Sequence, residues 1–158
     1  MKRISSPPRP GWKAFAESVG FNFHTFDGEP YWDESAYYQF SLEQIERDLE
    51  EPTEELHQMA LDLVADIVRD EKKLAQLAIP EKFWDAVRGS WQSQQQHLYG
   101  RMDFSYNGSG PAKLLELNYD TPTSLFETGF FQWVWLEDQL MRGAIPQGAD
   151  QFNSLQDK

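Results

Sequence analysis

The chain has 158 residues, 26 acidic against 14 basic, for a formal charge of −12; that length suffices for one domain with a core of its own. The acidity excludes a general nucleic-acid binder, which needs a basic face for phosphates, and adsorption on an anionic membrane surface. With no cysteine there is no disulfide, thiol nucleophile or cysteine zinc site, a composition that suits a cytoplasmic protein.

Met1–Pro10 carries basic residues and prolines but no apolar run, so it reads as an arm rather than a signal peptide. Gly11–Gly20 reads as a short helix with Trp12, Phe15 and Val19 on one stripe and Gly20 ending it. Phe21–His24 reads as extended, closed by a turn at Asp27–Gly28, and the aromatic stretch Trp32–Phe40 is ambiguous. Ser41 with Gln44 forms a capping box and Phe40 with Ile45 a hydrophobic staple; Pro52 marks a break or a new first turn. The acidic run Glu43–Glu55 reads as a solvated helix face. A second helix carries Leu56, Met59, Leu63 and Ile67 on one face. Leu74–Ile79 gives one more turn, and Pro80 opens a helix using Phe83, Trp84, Val87 and Trp91.

A hairpin is predicted from Leu98–Tyr106 and Ala112–Asn118 around Asn107-Gly108-Ser109-Gly110-Pro111. Placing Asn107 opposite Ala112 pairs Tyr106 with Lys113, Phe104 with Leu115 and Met102 with Leu117 on a mostly apolar face. The other face then pairs Asp103 with Glu116 and Arg101 with Asn118. Two carboxylates directly opposite one another repel, and a hard divalent cation taking oxygen ligands relieves that repulsion. Asp103, Glu116 and Asn118 suit the sparse ligand set of magnesium, and the planar fork of Arg101 suits a phosphoryl oxygen. A plain solvated hairpin face with an Arg–carboxylate pair is the competing reading. Beyond the hairpin, Thr121 before Pro122 reads as an N-cap, and Ser124 with Glu127 offers a later capping box. A helix start there, with hydroxyls from Thr121, Thr123 and Ser124, could hold a substrate carboxylate; simple capping explains part of the same pattern. The helix Leu125–Arg142 is apolar nearly all round and is predicted to be buried, ending at Gly143 and Pro146. His24, His57 and His97 stand at no metal-ligand spacing, and His57 reads as structural.

These residues carry a resemblance. Tyr99–Phe104 followed by Lys113–Leu125, which contains Leu115-Glu116-Leu117-Asn118-Tyr119-Asp120-Thr121-Pro122-Thr123-Ser124, resembles the glutathionylspermidine synthase family. Gly20–Thr25, Gly28–Trp32, Phe131–Leu140 and Asp150–Gln156 resemble it too, while Ser41–Gln76 is not specific. The resemblance implies an ATP-grasp ligase in which ATP phosphorylates a carboxylate and an amine attacks the acyl phosphate, giving an amide, ADP and phosphate. It implies magnesium on Asp103, Glu116 and Asn118, with Arg101 as the catalytic and ATP-binding residue that stabilises the transferred phosphoryl group. Thr121 and Thr123 stand where the family has hydroxyl residues for the acid, and they are threonines where glutathionylspermidine synthases can carry serine. The implied partners are small acid and amine substrates, peptide- or polyamine-like, with no nucleic acid and no membrane.

The expected fold is α+β: a helix-rich pre-ATP-grasp portion with an antiparallel hairpin packed on a long helix. The expected layout is an arm at 1–10, a substrate and magnesium-side domain at 11–149, and the start of a following segment at 150–158. Family members are longer, so the chain is expected to be their N-terminal part, inactive without a missing C-terminal ATP-grasp portion. The alternative is a non-catalytic binding or partner module that keeps the fold without that half.

Overall fold

The computed structural model describes residues 1–155. It is an α+β structure whose described strands form three two-stranded antiparallel sheets among helices. The chain divides into two compact units, Met1–Leu42 with the chain from Thr123 on, and Glu43–Pro122. The predicted hairpin falls in the second and the long C-terminal helix in the first.

In the first unit, the stretch read as an arm begins with a strand. β1 (Lys2–Ser5) pairs with β4 (Ala36–Gln39) in register from Lys2 opposite Gln39 to Ser5 opposite Ala36. This resolves part of the ambiguous aromatic stretch as strand, in keeping with the preference of tyrosine for pleated, half-buried surfaces. Helix α1 (Trp12–Ser18) ends as predicted: Gly20 takes φ 86°, and the Phe21 N–H donates to the Ala16 carbonyl at 2.8 Å. β2 (Thr25–Phe26) and β3 (Glu29–Pro30) flank Asp27 and Gly28, both at positive φ as a tight two-residue hairpin turn requires. The core clusters Ala16, Phe21 and Phe131, with Trp12, Val19 and Trp32 against them; Trp32 also packs on Trp135, Leu136 and Ile145. Beside it lies a buried ion pair: the Arg9 guanidinium donates to Glu34 through Nε at 3.1 Å and Nη2 at 2.6 Å.

The helix after Ser124 has a π-helical stretch, Glu127–Phe131, followed by α5 (Gln132–Met141). It is buried on one side only. Phe131, Trp135 and Leu136 are covered, but Leu125, Phe126 and Phe130 are exposed and Met141 is 80% exposed. The all-round apolar pattern therefore overstated its burial.

Helix starts at Leu42, the last residue of this stretch of the first unit, and in the second unit does not break at Pro52. Gln44–Glu50 is wound as a π-helix and runs straight into α2 (Glu51–Ile67). Proline has no N–H and its ring crowds the carbonyl four residues back, here that of Asp48. That carbonyl instead accepts from the Ala112 N–H at 2.8 Å, and the Leu49 carbonyl accepts the Thr53 hydroxyl at 2.6 Å. The chain thus stays helical, with the orphaned acceptor satisfied from the hairpin. α3 (Glu71–Gln76) starts earlier than predicted because Asp70 caps it, accepting the Lys72 N–H at 2.9 Å. Pro80 stands just outside a 3-10 turn, Glu81–Phe83, which leads into α4 (Trp84–Gln92).

The hairpin follows as β5 (Arg101–Ser105) and β6 (Lys113–Asn118). Its turn is fastened to the π-helical stretch: Gln44 Nε2 donates to the Gly108 carbonyl at 2.7 Å, and the Tyr106 hydroxyl donates to the Asp48 carboxylate.

Candidate functional site

The ladder places Arg101 opposite Asn118, Met102 opposite Leu117 and Asp103 opposite Glu116, as the sequence register predicts. Toward the turn the register departs from prediction. Phe104 pairs with Leu114 and Ser105 with Lys113, because a bulge between Asp103 and Phe104 takes up Leu115 as an extra residue. Strict alternation would set Leu115 opposite Phe104; the bulge puts Leu114 there instead and leaves Leu115 71% exposed, while the Met102–Leu117 pair keeps its predicted register.

On the polar face, Arg101 Nε lies 3.3 Å from Asp103 Oδ1, so these two side chains meet as predicted from their shared strand face. Glu116 sits across the ladder and is exposed. Two opposed carboxylates with one guanidinium beside them leave a net negative, oxygen-rich patch. Its donors fit magnesium, which takes one or two carboxylates and completes its shell with water and phosphate oxygens. The patch is no cage: among the described residues no group of three or more His, Cys, Asp or Glu side chains could hold a metal ion.

Asn118 does something the register did not foretell. Its Oδ1 accepts the N–H of Asp120 and of Thr121, each at 3.0 Å. An amide oxygen has two lone pairs, and this turn occupies both. The same turn corrects the predicted helix start: Thr121–Pro122–Thr123 is not helical, and helix begins at Leu125 after Ser124 at φ 68°. The Ser124 carbonyl accepts the Thr128 N–H at 3.1 Å and its hydroxyl at 2.6 Å. Glu127, expected in a capping box, is buried and accepts the Tyr31 hydroxyl at 2.6 Å, a bond that raises the Tyr31 pKa. Thr121 belongs to the hairpin's unit, and Thr123 and Ser124 to the other.

The opposite face of the hairpin lines an open cleft of about 390 Å³, with Gly100, Met102 and Phe104 at alternate positions and Tyr119 beside them. Thr53, His57 and His97 complete it. The sequence reading did not join these histidines. In the structure their ring centroids lie 5.5 Å apart, and each is within 6 Å of the Tyr119 ring, at 5.9 and 5.8 Å. His57 Nδ1 hydrogen-bonds the Tyr119 hydroxyl. The one sequence signal was Gly100, one step outside the Arg101–Asn118 pair and level with Tyr119. His24, by contrast, is a buried structural residue, bonded to Thr25 and Glu17 through its ring nitrogens.

A helix-and-hairpin domain with opposed carboxylates beside an arginine is the class of structure defined so far. Comparison with known proteins makes it specific: residues 3–158 match the family described as "Glutathionylspermidine synthase preATP-grasp", and the chain belongs to that family. It is 37% identical over its whole length to a proposed acid–amine ligase of Haemophilus influenzae, spanning 39% of that protein. It is 32% identical over 120 residues, 75% of the chain, to the bifunctional glutathionylspermidine synthetase/amidase of Escherichia coli, covering 18% of it. Trypanothione synthetase of Crithidia fasciculata is 36% identical over 84 residues, about half of the chain and 13% of that protein. The chain therefore spans less than half the length of the relatives it matches, which are named as an acid–amine ligase, a trypanothione synthetase and a glutathionylspermidine synthetase/amidase. Among the described residues, no helix is long and apolar enough to cross a membrane.

Proposed function

We propose that this chain forms the acid-substrate and magnesium side of an ATP-dependent carboxylate–amine ligase. The observation that carries the reading is the Asp103–Glu116 opposition, flanked by Arg101 paired to Asp103. In the proposed reaction the γ-phosphoryl group of ATP passes to a carboxylate oxygen, releasing ADP. The amine nitrogen then attacks the acyl carbon, the C–O bond to phosphate breaks, and the amide forms with loss of a proton from nitrogen. Asp103 and Glu116 would hold the magnesium, which when bound neutralises phosphate charge. Arg101, already oriented by Asp103, is the group to hold phosphoryl oxygens as their charge develops. Asn118 shapes the chain behind them, and its oxygen reaches a cation only if the turn gives up a bond. Thr121, in the same unit as the patch, supplies a hydroxyl able to donate to the acid's carboxylate. A cytoplasmic, ATP-supplied setting accords with this chemistry.

Manganese titration followed by electron paramagnetic resonance tests the site on residues 1–158. The expected result is saturable binding weakened at least ten-fold in both Asp103→Asn and Glu116→Gln, with the circular dichroism spectrum unchanged. Binding indifferent to both substitutions removes the metal reading. The chain alone is expected to release no ADP from ATP and magnesium in a coupled assay, with or without acids and amines.

A further inference from the structure

A two-stranded hairpin is marginal by itself and frays from its open end. In this protein the open end is where Arg101 and Asn118 face each other, so something must hold it shut if the polar face is to keep its geometry. One step outward, Gly100 stands level with Tyr119. A Cβ on residue 100 would lie 2.7 Å from ring atoms of Tyr119, so the phenol lies directly over the glycine. An aromatic ring covering a cross-strand glycine is a known way of pinning register. The ring is held in turn: His57, on α2, bonds its hydroxyl and stacks at 18° to it, and His97 meets it edge-on at 72°.

We propose that His57, Tyr119 and His97 form a clamp that positions the Arg101–Asn118 end of the hairpin. His57 and Tyr119 are positioning residues acting from the cleft side on the polar patch behind it. Tyr119 directly follows Asn118, whose oxygen organises the Asp120–Thr121 turn. A fixed ring therefore fixes the backbone from which Asn118 projects, and the Gly100 side of the contact fixes Arg101. The second half of the proposal, that the clamp tunes cation binding, rests on the ligase reading above.

The experiment uses residues 1–158 and the variants His57→Ala, Tyr119→Phe, their double mutant, Gly100→Ala and His57→Gln. Amide hydrogen exchange by NMR reads the clamp without any ligand. The expected result is at least ten-fold faster exchange of β5 and β6 amides near Arg101 and Asn118, with Ser105 and Lys113 unchanged. His57→Ala and Tyr119→Phe should be no worse combined than singly, and Gly100→Ala should match them by expelling the ring. His57→Gln, which keeps a hydrogen-bonding group, should recover part of the protection. Manganese titration on the same samples should show three- to ten-fold weaker binding in the Ala and Phe variants and partial recovery in the Gln variant. Unchanged exchange in every variant overturns the clamp. Faster exchange with unchanged manganese affinity overturns its positioning role. Faster exchange in a protein whose wild type binds no manganese keeps the clamp and removes the ligase-side metal reading instead.

Discussion

At the residue scale, the Asp103–Glu116 pair is the feature most open to direct measurement. Like charges opposite one another on a strand pair cost roughly 0.2–1 kcal/mol, and Arg101 at 3.3 Å offsets the charge of Asp103 only. Glu116→Gln is therefore expected to stabilise the protein by a few tenths of a kcal/mol in urea unfolding without divalent cations. Added magnesium should reverse the order by stabilising the wild type alone. A variant that is equally stable or weaker in cation-free buffer would show that the two carboxylates do not oppose each other. The pair was legible from sequence because only strand alternation and a turn centre were needed to find it. Asn118 was legible as a position and not as a function: no periodicity says that a side-chain oxygen will be taken by the two N–H groups that follow it.

At the element scale, helix and hairpin share one residue. Asp48 accepts the Ala112 N–H on its backbone and the Tyr106 hydroxyl on its side chain. Partial burial, then the hydrogen bond and the charge of Asp48, push the Tyr106 pKa up to about 12. A phenol whose folded pKa is raised stabilises the fold fully below its unfolded value, near 10, and loses that contribution as pH rises through the folded value. The stability difference between wild type and Tyr106→Phe should thus be constant from neutral pH to about 9 and shrink between about 10 and 12. Thermal melts across that range check it, and a difference that grows with pH would contradict the bond. The π-helical winding before Pro52 was not legible: the sequence shows a proline, and both a break and a fresh helical turn are ordinary answers to it. The answer chosen depended on a donor, Ala112, that lies 64 positions away from the freed carbonyl.

At the scale of the whole molecule, residues distant in sequence are joined by the ion pair of Arg9 and Glu34, which extends to Asp138 at 3.5 Å. Glu34 also accepts the Arg9 backbone N–H at 3.0 Å and the Trp32 indole N–H at 3.2 Å. Removing one partner of a buried pair leaves an uncompensated charge and costs about 3–5 kcal/mol. Glu34→Ala is expected to lose that much in equilibrium unfolding, while exposed Arg47→Ala, which breaks a surface pair with Glu43, should lose under about 1 kcal/mol. Equal losses would deny the buried pair its role. Local signals such as Gly20, Asp27–Gly28 and the hairpin turn were readable from the sequence. The strand pairing of Lys2–Ser5 with Ala36–Gln39 was not, since pairing across such a separation leaves no local mark.

The bulge at Leu115 bears on how the hairpin tolerates a change of turn length. In a plain hairpin, a one-residue slip of the pairing moves every side chain beyond it to the other face, because alternation has period two. Here the slack sits between the turn and the Asp103–Glu116 step. An insertion or deletion in Asn107–Pro111 can be absorbed at Leu115, much as an expansion joint takes up length, without moving either carboxylate to the wrong face. A turn one residue longer or shorter is therefore expected to leave the paired acids on the same face.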